Sequence, residues 1–123
     1  MARKGKIFVA GCSDPRNIKG IIALLDSLGY NLEDGDVIPW LVFGGIGNRK
    51  LFDEAVIFAM EELGPQVVVL TTHEDCKKRT DINQLKMTMS FVETRWPEAE
   101  LIGAWINLDA TWDDVSIEED SAA

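Results

Sequence analysis

Three side chains of the sequence have the chemistry of a transition-metal site: Cys12, His73 and Cys76. The chain contains only two cysteines and one histidine, and all three lie on two turns that follow apolar runs typical of β-strands. Zinc prefers Cys sulfur and His nitrogen in tetrahedral sites, and three protein ligands leave the fourth position open, as in catalytic zinc sites. The residue types therefore predict one Zn²⁺ ion in a catalytic-type site.

Other interpretations of these residues need fewer assumptions. A cysteine at a strand end is often just a small buried hydrophobic residue, and a single histidine is often structural. A redox pair is disfavoured, because Cys12 and Cys76 are far apart in sequence and lack the C-x-x-C spacing. The combination of one cysteine with a second turn of the form His-x-x-Cys favours metal binding.

Asp14 and Arg16 follow the first cysteine by two and four residues. Zinc lowers the pKa of a coordinated water to about 7, but two thiolate ligands make that water less acidic, so a nearby group should accept its proton or orient it. A guanidinium can hold a carboxylate with two parallel hydrogen bonds. We expect Arg16 to hold Asp14 beside the metal; the alternative is an ordinary surface ion pair.

Strand and helix patterns alternate along the chain. The apolar spacing predicts strands at 6–12, 36–43, 66–72 and 99–108 and helices at 17–29, 50–63 and 81–95, with Asn17 as the first N-cap. Pro39 suggests that the second strand lies at an edge. The order βαβαβαβ predicts an α/β fold, a single-domain parallel sheet of about four strands flanked by helices. Functional sites in such sheets lie beyond the carboxyl ends of the strands. The two turns meet there if the first and third strands are neighbours.

Length and charge limit the possible partners. The 123 residues are enough for one domain, which we place at 1–112, with an acidic C-terminal tail at 113–123. A net charge of −9 disfavours a nucleic-acid partner. No apolar run approaches the roughly 20 residues of a membrane helix, and the apolar stretch after the basic N-terminus is too short for a signal peptide, so we expect a cytoplasmic protein.

The two turns resemble the metal motifs of a known family. Residues 12–16, Cys-Ser-Asp-Pro-Arg, resemble the C-x-D-x-R motif of the β-class carbonic anhydrases, and residues 73–76, His-Glu-Asp-Cys, resemble their H-x-x-C motif. Between them, Gly35-Asp36 and Gly47-Asn48 are similar to a strand and a turn of that family, and Trp96-Pro97 precedes a segment like its closing strand. The resemblance covers residues 6–112.

This resemblance implies a set of roles. Cys12, His73 and Cys76 would be the zinc ligands. Asp14 would accept a hydrogen bond from a zinc-bound hydroxide or occupy the fourth zinc position in an inactive state, and Arg16 would hold Asp14. The implied activity is that of a lyase, hydration of carbon dioxide to bicarbonate. The substrate pocket would involve Gly44, Gly45, Gly47 and Asn48.

The sequence departs from the family pattern at three places. The first strand begins almost at once, where the family has N-terminal helices that wrap a partner subunit. Gly44-Gly45 stands in place of Arg-Asn, and Lys77-Lys78 in place of small residues. These changes concern the substrate pocket more than the metal ligands.

Several functions therefore stay open. A related zinc hydrolase of carbonyl sulfide or carbon disulfide would use the same metal site, and a zinc-stabilised interaction module would not be catalytic. A nucleotide site at the glycine turn 44–47 is disfavoured because the G-x-G-x-x-G order is absent. We also expect a homodimer or higher homo-oligomer, because a short chain should expose apolar surface around Trp40, Trp105 and Trp112.

Overall fold

The computed structural model describes residues 5–74 and 81–117, and its elements follow the predicted alternation. The elements are β1 Ile7–Cys12, α1 Pro15–Ser27, β2 Val37–Val42, a 3₁₀ turn Gly45–Gly47, α2 Arg49–Phe58, a π-helical turn Ala59–Leu63, β3 Val67–His73, α3 Ile82–Arg95, β4 Glu100–Ile106 and β5 Trp112–Val115. The α/β fold class is confirmed. Within the described ranges, no helix has the length and apolar character needed to span a membrane.

The sheet has the strand order β2-β1-β3-β4-β5. The first four strands are parallel, and β2 with its Pro39 lies at an edge as predicted. From β1 the chain moves to β2 on one side and later returns to β3 on the other side. The boundary between β1 and β3 is therefore a topological switch point, the place where open α/β sheets form their sites. The expectation that the first and third strands are neighbours is confirmed.

Pairing between β1 and β3 ends before the strands do. The last paired residues are Ala10 and Leu70, whereas β1 continues to Cys12 and β3 to His73. Beyond that pair, the Thr71 hydroxyl donates a hydrogen bond of 2.9 Å to the Ala10 carbonyl. The two strands thus reach the switch point without a complete backbone ladder between them.

A fifth strand, β5, extends the sheet beyond the four that the sequence predicts. It pairs antiparallel with β4, with Ile106 opposite Trp112 and Gly103 opposite Val115. Residues 113–115, which the sequence analysis assigns to the acidic tail, belong to this strand, and Val115 is buried. The strand escapes prediction because Asp113 and Asp114 are exposed and leave almost no apolar pattern.

Two apolar layers cover the sheet, one on each face. Residues of α1 pack on one face against β1, β3 and β4, and residues of α2 and α3 pack on the other. All six residues of β1 are buried, as expected for a central strand covered on both faces. The core therefore holds the carboxyl ends of β1 and β3 in fixed positions.

The start of α1 differs from the prediction. Asp14 is the N-cap, and Pro15 occupies the first turn, where its missing N–H costs nothing. Asn17, the predicted N-cap, is instead inside the helix and only 1% exposed. The N-cap prediction was wrong because both residues are good caps and only tertiary packing distinguishes them.

Candidate metal centre

Cys12 is the last residue of β1 and is buried, with 5% of its surface exposed. The backbone N–H of the next residue, Ser13, donates a hydrogen bond of 3.0 Å to the Val42 carbonyl of β2. On the other side, the Asn17 side-chain amide of α1 donates to the Cys12 carbonyl at 2.8 Å. The cysteine backbone is therefore held by both a neighbouring strand and the following helix.

His73 ends β3 and is 3% exposed. It lies in register with Ile106 of β4, and the next residue, Glu74, donates its backbone N–H to the Ile106 carbonyl at 2.9 Å. The Glu74 carboxylate accepts a second hydrogen bond, from the Leu108 backbone, at 3.0 Å. Glu74 is thus anchored both to β4 and to the segment that follows it.

The hydrogen bonding of His73 indicates which ring nitrogen is available. Its Nδ1 lies 2.8 Å from the Glu74 carbonyl oxygen. A carbonyl can only accept, so Nδ1 carries the proton and Nε2 keeps its lone pair in the neutral ring. Nε2 is buried and has no hydrogen-bond partner among residues 5–74 and 81–117. Metal-binding histidines show this pattern, in which one nitrogen donates to a carbonyl and the other faces the metal.

The third predicted ligand, Cys76, lies outside the described residues, as do Lys77 and Lys78. Within the described part of the chain, no cluster of three or more His, Cys, Asp or Glu side chains could hold a metal ion. Cys12 and His73 supply two of the three predicted donors, both buried, and the Nε2 lone pair of His73 meets no partner among the described residues. A sulfur and an imidazole nitrogen suit zinc, so the residues present fit this ion.

Arg16 holds Asp14 as the sequence predicts. Its Nε and terminal nitrogen lie 3.1 and 2.7 Å from the two carboxylate oxygens, and its backbone N–H donates to the same carboxylate at 2.9 Å. These hydrogen bonds from the Arg16 side chain and backbone, with a smaller contribution from the charge of Arg16, lower the pKa of Asp14 from 3.8 to about 2. Asp14 therefore caps α1 and presents an ionised carboxylate two residues after Cys12.

The turn after β2 lies against Cys12. The Gly44 backbone N–H donates to the Cys12 sulfur at 3.3 Å, and Gly45 directly follows. Gly47 and Asn48 close the turn through backbone hydrogen bonds of 2.9 and 3.0 Å to Gly44 and Gly45, and the Asn48 side chain donates to the Phe43 carbonyl. Gly44 thus contacts a predicted ligand; the assignment of all four residues to a substrate pocket stays a prediction.

Two hydrogen bonds to Cys12 are not predicted from the sequence. Asn17 is predicted as a helix cap and Gly44 as part of a pocket rim, whereas both hydrogen bond to Cys12. The signal for Asn17 is a polar residue on the apolar face of an amphipathic helix, five residues after a candidate ligand. No sequence signal identifies the Gly44 contact, since it depends on how the turn packs.

The structure is that of an α/β protein in which two of the predicted metal ligands, Cys12 and His73, lie at the switch point of a mostly parallel sheet. The sequence matches no protein-family model and no curated protein sequence. Among solved structures, the chain is similar to a carbonic anhydrase from Streptococcus mutans, with a TM-score of 0.63 and 15% identity over 94% of this chain and 86% of that one. It is equally similar to a tetrameric β-carbonic anhydrase from Sordaria macrospora, with a TM-score of 0.63 and 15% identity over 94% of this chain and 82% of that one.

The chain is also similar to a β-carbonic anhydrase of Aspergillus fumigatus, with a TM-score of 0.58 and 16% identity; the match covers 96% of this chain and 78% of the Aspergillus protein. The low identities limit these likenesses to the fold. The chain has the fold of the β-carbonic anhydrases, as its two motifs indicate.

Proposed function

We propose that this chain is a cytoplasmic zinc lyase of the carbonic anhydrase type, which hydrates carbon dioxide to bicarbonate. The observation that carries the proposal is the buried Nε2 atom of His73, which has no partner among the described residues. It belongs to a residue of the H-x-x-C motif, at the switch point of a β-carbonic-anhydrase fold. A buried nitrogen without a partner is costly unless a ligand compensates for it.

The residues have distinct roles in this proposal. Cys12, His73 and Cys76 would hold the zinc ion, which when bound supplies a water activated for attack near neutral pH. Asp14 has a pKa of about 2, so at neutral pH it is an ionised carboxylate and a weak base. It therefore accepts and orients a hydrogen bond without retaining the proton, which passes to solvent. Arg16 fixes the direction of that carboxylate through its two side-chain hydrogen bonds.

Metal analysis and stopped-flow hydration assays test the proposal together. Freshly purified protein should contain about one zinc per chain, and Cys76→Ser should lose both zinc and activity. Asp14→Asn should retain zinc and lose activity by about 100-fold, because misplacing the attacking group through the loss of an orienting carboxylate costs a factor of this order. Zinc-free Cys76→Ser protein with full activity would exclude the proposed function.

A second acid–arginine pair offers a matched control. Arg49 and Asp53, four residues apart on α2, form an ion pair with an N–O distance of 2.7 Å, and neither is among the predicted metal-ligand, catalytic or pocket residues. Asp53→Asn should leave both zinc content and hydration rate unchanged. The same stopped-flow comparison with carbonyl sulfide and carbon disulfide identifies the substrate, and bound zinc without turnover of any of the three would favour a non-catalytic module.

We also propose a homo-oligomer, although on different residues from those that the sequence suggested. Trp40, Trp105 and Trp112 are partly buried and pack against the core. Leu51 and Phe58, seven residues apart on one face of α2, are 55% and 61% exposed. Light scattering at micromolar concentration should give at least twice the 13.7 kDa of one chain. A mass of one chain would contradict this proposal.

A further inference from the structure

The turn after β2 is packed so closely against the end of β1 that the two backbones leave no room for a side chain between them. Gly45 has φ = +52°, and a Cβ atom added to it would lie 2.8 Å from both the Cys12 nitrogen and the Gly11 carbonyl carbon. These neighbours are backbone atoms of a buried central strand, which cannot turn aside as a flexible side chain would. Only glycine fits this position without moving the turn or the strand.

This close approach coincides with a hydrogen bond to a predicted metal ligand. Gly44 also has a positive φ, +87°, and its backbone N–H points to the Cys12 sulfur at 3.3 Å. The contact is buried. Hydrogen bonds to ligand atoms orient those atoms and adjust their affinity for the metal, with effects of about 10–100-fold when they are removed. Two adjacent glycines therefore combine a tight backbone contact with a donor aimed at the sulfur.

We propose that Gly45 is a positioning residue for the metal centre, an inference that rests on the proposed function. Its missing side chain lets the turn approach Cys12, and this approach brings the Gly44 N–H into hydrogen-bonding distance of the sulfur. The sulfur is thereby oriented before the metal binds. A bulkier residue at position 45 displaces the turn, breaks the hydrogen bond and weakens metal binding.

A simpler interpretation is that Gly45 is needed only for its positive φ. Gly64 provides a matched reference for that effect. It has a similar φ of +60°, but a Cβ atom added to it would meet nothing within 4 Å. Gly64→Ala therefore introduces the same type of backbone strain without crowding, and the difference between the two variants measures the close approach to Cys12.

Zinc affinity and a cobalt spectrum provide readouts that do not depend on activity. Zinc affinity is measured for wild type, Gly45→Ala and Gly64→Ala by competition with a chromophoric chelator, and Co²⁺ is added to each apo-protein to record the sulfur-to-cobalt charge-transfer band. We expect at least tenfold weaker zinc binding and a shifted or weakened band for Gly45→Ala. Gly64→Ala should bind zinc within about threefold of wild type. Equal zinc affinity and cobalt spectra in the two variants would overturn the inference.

A measurement on the unmodified chain covers the case in which Gly45→Ala does not fold. With ¹¹³Cd in the site, the amide proton of Gly44 should show a through-hydrogen-bond coupling to the metal. Absence of this coupling in a cadmium-loaded protein would also overturn the inference. A wild-type chain that binds none of the three metals would instead refute the proposed function, so the two failures are distinguishable.

Discussion

Replacing Asn17 tests whether helix α1 holds the backbone of Cys12. The Asn17 amide donates to the buried Cys12 carbonyl at 2.8 Å, while its own Oδ1 is buried without a partner in the described part of the chain. Asn17→Leu keeps the branched shape of the side chain, although its two methyl groups are larger than the amide oxygen and nitrogen, and removes the donor. Leaving the carbonyl unpaired costs about 1–3 kcal/mol, and removing the unpartnered Oδ1 recovers roughly 1 kcal/mol. We therefore expect a net loss of about 1–2 kcal/mol in the free energy of unfolding.

Urea unfolding of the apo-protein measures this loss directly, and thermal unfolding should show a decrease in Tm of roughly 4–8 °C for a domain of this size. Lys19→Ala is the control, since Lys19 lies exposed on the same helix and its replacement should change stability by less than about 0.5 kcal/mol. Zinc affinity should fall with Asn17→Leu and not with Lys19→Ala. An Asn17→Leu protein as stable as wild type would refute the idea that this hydrogen bond anchors Cys12.

Three further predictions concern the stability of the domain. Ala110 has φ = +68°, so Ala110→Gly should raise the free energy of unfolding by about 0.5–1 kcal/mol, and an unchanged urea midpoint would argue against backbone strain there. Phe52 is fully buried with its ring centroid 5.7 Å from that of Trp40, so Phe52→Ala should cost about 3–5 kcal/mol in the same assay. Hydrogen bonds from the Thr111 side chain and backbone lower the pKa of Asp109 below 3.8. The ionised carboxylate therefore stabilises the folded state above pH 3.8, and this stabilisation is lost as the pH falls through the lowered pKa. Asp109→Asn should therefore lower the urea midpoint near pH 7, and this effect should diminish as the pH is lowered into the acid range; an effect that does not change with pH would contradict the assignment.

Much of the architecture can be predicted from local patterns. The buried run at 66–72 corresponds to β3 at Val67–His73, and the predicted third helix at 81–95 corresponds to α3 at Ile82–Arg95. These elements are predictable because a long apolar or periodic segment has one conformation that buries it well. The second helix is only partly predicted, since the segment 50–63 continues from α2 into a π-helical turn at Ala59–Leu63.

The candidate site divides in a similar way. The motifs identify Cys12 and His73, and the structure places them at the ends of two neighbouring strands. They predict the pairing of Asp14 with Arg16, which the structure confirms, because the two residues are close in sequence and their pairing depends on local geometry. The roles of these residues in catalysis stay predictions.

The sequence by itself determined the kinds of donor atoms, their order along the chain and the alternation of strands and helices. Only the tertiary structure decided that β5 joins the sheet, that Asn17 turns inward to the Cys12 carbonyl and that Gly44 reaches the Cys12 sulfur. The β5 strand and the turn that contains Gly44 are short polar or glycine-rich segments, which carry no periodic pattern, and Asn17 differs from the pattern of its helix only as one polar residue on the apolar face. Their conformation depends on the space and the hydrogen-bond partners that the assembled sheet offers.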